Sequence, residues 1–280
     1  MGRWLRRSLA LLAGGSLLVL AQALVRARDV PFSPLTAGRS VGPDYVERND
    51  LALPGTAVGE VDDLDIYARA DFDPAVLHPE VRRFYERTSE FEMTYEVTWH
   101  AGFRVGAALA SRLTARLEQL NLPGPGEPGP RRLASQLVDV DPAADPREGA
   151  RAWVRTDPDT GEAVFVAVYA SHEADGERYT NIAVPLPGSN LSTVLRPSSF
   201  DGTGAGAGME LTTRAPGDPG LYLVVPPVGL QLPMDQRFRV WPADAPDAPA
   251  DLTGGRATLV ATHELWVFGR RFLSIRYAMA

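Results

Sequence analysis

The chain has 280 residues, 45% of them hydrophobic and 22% charged, enough for one large folded domain. It contains no cysteine, which excludes disulfides, thiolate metal sites and cysteine nucleophiles. Its formal net charge is -7 and all 28 basic side chains are arginine, so it lacks the basic footprint of a nonspecific nucleic-acid binder.

Residues 1–28 have the organisation of a targeting segment. Arg3, Arg6 and Arg7 precede an uncharged, mostly apolar run over 8–25, and Arg26 and Arg28 close it. That run is about the minimum that spans a bilayer as a helix. Two readings stand: a signal peptide cleaved after the small-x-small site Ala21-Gln22-Ala23, or a retained single-pass anchor. A retained anchor makes the membrane a partner, and the nearly balanced flanking arginines lean toward an extracytoplasmic domain. There the sequon Asn190-Leu191-Ser192 would be usable.

Residues 29–73 lack sustained periodicity and are interrupted by Pro31, Pro34, Pro43 and Pro54. They read as an acidic, proline-containing linker, part of it packed on the domain that follows. Residues 74–280 read as that domain.

The domain opens with a helix. Pro79 suits a first helical turn, and His78 stands directly before it as the helix start. Val81, Phe84, Tyr85 and Thr88 fall on one helical face, while Arg82, Arg83, Glu86, Arg87 and Glu90 take the other. After Ser89 the period changes to two. Phe91, Met93, Tyr95, Val97 and Trp99 alternate with Glu92, Thr94, Glu96, Thr98 and His100, which is a half-buried strand with an aromatic face. A second helix is expected over 102–120, with Leu109, Leu113, Leu117 and Leu120 as its apolar stripe. It reads as a cover for a sheet or as a helix lying on an anionic membrane.

From Arg132 onward the pattern is all β. Strands are expected over 133–140, 150–156, 163–172, 178–187, 191–196, 209–213, 221–225, 237–241, 257–268 and 272–279. The Asp-Gly pair in "ADGE" signals a hairpin, and "DPDTG", "PGS" and "GDPG" supply further turns. Short links imply antiparallel neighbours. The resulting fold class is α+β: an N-terminal membrane helix, then two helices packed on a strongly curved antiparallel meander or incomplete barrel.

The order "HPEVRRFYERTSEF", "VPLPGSNLSTVLRP", "GDPGLY" is similar to a prokaryotic protein family with a helix followed by a long β region and no known activity. The resemblance covers residues from about His78 to the C-terminus. It implies one continuous domain and transfers no catalytic or binding residue.

Candidate chemistry is sparse. His100 and Glu96 share a strand face four residues apart, about 13 Å, too far for a dyad. His172 ends a strand beside a hairpin turn and is expected to be exposed. His263 alternates with Leu259, Ala261, Leu265 and Val267, so it stands on an apolar face as a core or a pocket histidine. No H-E-x-x-H motif exists, and "DGTGAGAGME" reads as a flexible loop because a strand, not a helix, follows it. No metal or cofactor is implied. The leading expectation is an extracytoplasmic domain that binds an apolar or lipid-like ligand in a pocket formed by Trp99, His100 and His263. The alternatives are a membrane-associated hydrolase using a His/carboxylate pair, and a structural envelope protein with a filled core.

Overall fold

The computed structural model describes residues 23–280 except 26, 56, 128 and 201–205, and omits the side chains of 109–113. The expected membrane helix over 8–25 lies almost wholly outside the described residues, as does the first half of the glycine-rich loop. Among the described residues no helix is long and apolar enough to cross a membrane.

Among the described residues the regular structure comprises twelve strands, three short 3-10 helices and, beyond residue 25, three α-helices. The α-helices are α1 (Tyr45–Arg48), α2 (Pro79–Glu86) and α3 (Arg104–Leu117). The strands are β1 (Met93–Trp99), β2 (Arg131–Asp139), β3 (Glu148–Thr156), β4 (Ala163–Ala174), β5 (Glu177–Leu186) and β6 (Ser189–Phe200). They continue with β7 (Gly208–Thr212), β8 (Gly220–Val225), β9 (Val228–Gln231), β10 (Met234–Pro242), β11 (Leu259–Val267) and β12 (Arg270–Met279).

Ten strands close into a barrel in the order β5-β4-β3-β2-β1-β12-β11-β10-β7-β6, and β6 pairs back onto β5. β8 and β9 branch from the first half of β6, while β7 pairs with its second half. This corrects the expected incomplete barrel and the share given to helices. The fold is mostly antiparallel β and the ring is closed. The closure between β1 and β12 runs from Met93↔Met279 to Trp99↔Leu273, and such a long-range pairing leaves no local turn signal in the sequence. β9 escaped notice because Pro226-Pro227 masks a four-residue strand.

The strand "AVFVAVYA" is apolar on both faces for a reason now visible. Phe165, Ala167 and Tyr169 face the lumen with Trp153, Leu137, Tyr95 and Tyr277. Val166, Val168 and Ala170 face outward, where Val41, Tyr45, Val46 and Leu51 cover them. The stretch read as a linker therefore runs along the outer wall, bridging Ala37 to Pro187 and Ala52 to Val140.

The chain passes over both ends of the barrel. Residues 57–91 form a cap over one end, with Leu64, Phe72, Val81, Phe84 and Tyr85 turned into the core. Gly59 is required there, since a Cβ would stand 2.3 Å from the Glu86 backbone. Residues 99–123 cross the other end. Phe103 packs on Phe272 of β12, while Gln119 bonds Val166 of β4 and Pro185 of β5, on the opposite side of the ring.

Candidate functional site

The three expected pocket residues do not form one site. Trp99 lies at the end of β1 and donates its indole N–H to the Pro123 carbonyl at 2.9 Å. His100 follows on the other face, where Nε2 is 2.8 Å from the Ser274 hydroxyl and burial lowers its pKa. His263 is in the lumen. Its Nε2 meets the Gln236 side-chain oxygen at 2.9 Å and its ring stacks on Phe238 at 4.2 Å. Burial, with Arg155 adding repulsion, pushes its pKa down to about 3, so it is a neutral core histidine. Among the described residues neither His100 nor His263 has a carboxylate within hydrogen-bond reach, as a hydrolytic pair on either would need. His78 accepts from the Glu80 amide through Nδ1 at 3.2 Å, which is its helix-start role.

His172 overturns its expected exposure: it is 6% exposed. It belongs to a polar network on the outer wall. Nε2 donates to Asp218 at 3.0 Å and Nδ1 accepts from Asn181 at 3.2 Å. Asn181 also accepts from Arg147, whose guanidinium clamps Asp145 at 2.7 Å and reaches the carbonyls of Val168 and Asn181. Ser33 completes it by donating to Asp145 at 2.6 Å. All five guanidinium N–H groups of Arg147 find acceptors, so the network is saturated. Its signal in the sequence was absent, because the partners lie up to 112 residues apart. Asn190 is likewise fully buried and bonds the carbonyls of Ser33 and Leu35, so the sequon offers no exposed acceptor.

The lumen holds a second, less satisfied set. Arg155 is buried on β3 between Trp153 and Phe165, its guanidinium carbon 4.1 and 4.4 Å from their ring centres. Its Nη2 donates to the Tyr169 hydroxyl at 2.9 Å, its Nε has no partner, and neither does the neighbouring Trp153 Nε1. Above it, a cavity of about 10 Å³ sits between cap and barrel wall, room for about one water. Glu60, Tyr67 and Tyr85 line it from the cap, and Tyr169 and Thr180 from the wall. Burial pushes the Glu60 carboxyl up to about 8 against the attraction of Arg155. It pushes Tyr67 up to about 12, and Tyr85 and Tyr169 upward as well. Glu60 gives no signal in the sequence, because "VGEVDD" reads as a wet acidic stretch.

Two other features carry less. An open groove of about 420 Å³ beside α2 is lined by Arg82, Arg83 and Arg87. Those arginines are already engaged by Asp63, Asp65, Glu80, Glu86 and Glu90. In the acidic loop after β10, Asp251 spends its carboxylate on Thr253, Gly255 and Ala257 of its own loop. Among the described residues no three His, Asp or Glu side chains are grouped to hold a metal.

The class these observations define is a closed antiparallel barrel, capped at both ends, with a titratable cluster under one cap. No family model and no solved structure matches the chain. It is similar to the "Uncharacterized membrane protein YndJ" of Bacillus subtilis strain 168, 30% identical over 248 residues, or 89% of this chain. The match spans 43% of the relative's length, so this chain corresponds to under half of it. The relative fits the sequence resemblance to a prokaryotic family without a known activity. Its 248 matched residues also exceed the stretch from His78 to the C-terminus, so the similarity extends into the wall-covering segment.

Proposed function

We propose that the chain is a membrane-associated domain, tethered by residues 1–28 on the extracytoplasmic side, that acts as a structural or recognition module and not as a carrier. One observation carries this reading: among the described residues the lumen-facing side chains pack into one buried core, and the chain passes over both ends of the barrel. A small-molecule carrier needs a cavity of roughly 300 Å³ or more. The space under the cap has about 10 Å³. Similarity to a bacterial protein named as a membrane protein supports the membrane association. The apolar run over 8–25 with its flanking arginines supports a tether. An apolar ligand in the lumen would require the cap to leave, breaking the Arg151 bond to Gly59 and the Arg196 pair with Asp71.

The test is membrane fractionation with protease added to intact, outer-layer-permeabilised cells. The chain is expected to pellet with membranes, resist alkaline carbonate and be digested from outside. Recovery as a freely soluble cytoplasmic protein would overturn the reading.

A further inference from the structure

The space under the cap is rich in hydrogen-bond donors. Thr180 donates to the Tyr67 hydroxyl at 3.2 Å, and Arg155 donates to the Tyr169 hydroxyl at 2.9 Å. Each phenol oxygen is therefore already accepting, and its own O–H remains to be placed. Both rings line the cavity, together with Tyr85. Glu60 lines it too, and its carboxyl has no hydrogen-bond partner among the described residues. Behind Tyr169, the buried Arg155 guanidinium has no carboxylate at ion-pair distance among the described residues. Its charge is met only by the Tyr169 oxygen and two aromatic faces. A buried positive charge without an ion-paired acid is costly, and O–H donors lining one small space near it favour an anion over a water.

We propose that the space under the cap binds one monatomic anion of about chloride size, held by the hydroxyls of Tyr67, Tyr85 and Tyr169 and backed by Arg155, with Glu60 beside it. The proposal goes beyond the reading of the chain as a membrane-associated module and does not depend on it. Every titratable or charged group facing Glu60 enters: Tyr67 and Tyr85 from the cap, Tyr169 from β4 and Arg155 from β3. Val61, Leu64, Ala170, Thr180, Met209 and Leu211 complete the lining and are neutral. An ionised Glu60 supplies the negative charge itself and accepts from the same phenols, so it competes with the anion. Anion uptake therefore takes up a proton, and the burial that raises Glu60 to about 8 sets where the competition begins.

The test uses the full chain in detergent, with sodium chloride against sodium gluconate at matched ionic strength. Thermal midpoint and chloride NMR line width are followed at about pH 6.5 and about pH 9.5, on either side of the raised Glu60 value. Chloride is expected to raise the midpoint and broaden the line at the lower pH, with at least a tenfold loss of apparent affinity at the higher. Tyr67→Phe and Tyr169→Phe are each expected to weaken the response, and Glu60→Gln to keep it at both pH values. The proposal is overturned if chloride and gluconate give equal midpoints and line widths at the lower pH. It is also overturned if both Phe variants respond like the parent, or if the parent binds equally at both pH values.

Discussion

The barrel carries two buried polar clusters that differ in how completely they are satisfied. On the outer wall, Arg147 spends every donor, Asp145 is met by Arg147 and Ser33, and His172 is bonded at both ring nitrogens. In the lumen, Arg155 leaves Nε unpaired and Glu60 has no partner among the described residues. A saturated network holds its elements in one arrangement. Here it fastens the segment around Ser33 to β4 and β5. An unsaturated cluster costs stability and keeps capacity for something else. The two sets lie on opposite faces of the same strands, so position in the barrel, and not residue type, separates a staple from a site.

The largest expected effect breaks the staple. Asp145→Asn leaves the fully buried Arg147 without its carboxylate and is expected to cost about 3–5 kcal/mol in chemical denaturation. A loss under about 1 kcal/mol would show that the network is not a staple.

Acid should separate the two histidines. His263 has a folded value of about 3 against an ordinary 6.5, so the unfolded chain binds its proton first. The stability it contributes is complete above pH 6.5 and is lost as pH falls toward 3, at about 1.4 kcal/mol per unit. Replacing it with Gln is expected to remove about 3 kcal/mol of the loss seen by about pH 4.5. The same change at His172 should flatten the acid limb less. Burial lowers that group too, but Asp218 stabilises its charged form, whereas His263 faces Arg155.

Glu60 works in the opposite sense. Its value is raised from 4.5 to about 8, so its contribution is complete below pH 4.5 and lost as pH rises through 8. In chloride-free buffer at about pH 8, Glu60→Gln is expected to be more stable than the parent by about 2 kcal/mol. Glu60 is partly exposed, and solvent screening holds the effect below the full shift. A variant no more stable than the parent at that pH would place the carboxyl in contact with water. The smallest effect is expected for Arg155→Met. The lost Tyr169 bond and aromatic contacts are offset by removing an unpaired buried charge, leaving a change of about 1 kcal/mol.

Much of the barrel was legible because alternation and turn chemistry are local. The period switch after Ser89, the Asp-Gly hairpin and the extra apolar face of "AVFVAVYA" all reported real features. In the hairpin, Asp175 and Gly176 both take positive φ, at 53° and 76°. The closure between β1 and β12 was not legible, since pairing partners 174 to 186 residues apart share no local signal. The site was less legible still. Trp99, His100 and His263 drew attention as aromatic or titratable residues, yet the structure sends them to a barrel end, an outer face and the lumen. Glu60 sits in a segment whose other charges are wet, and nothing local in the strand of Arg155 tells its lumen arginine from the others. Only the folding of the cap over the lumen brings one above the other.

Packing of the lumen among the described residues decides between a module and a carrier. Native mass spectrometry of the full chain, purified from its own membranes in mild detergent, tests this most directly. The expected result is the bare chain, with any lipid adducts weak, heterogeneous and lost at low activation. A single lipid or other apolar molecule retained at one per chain, and resistant to activation that strips detergent, would contradict it.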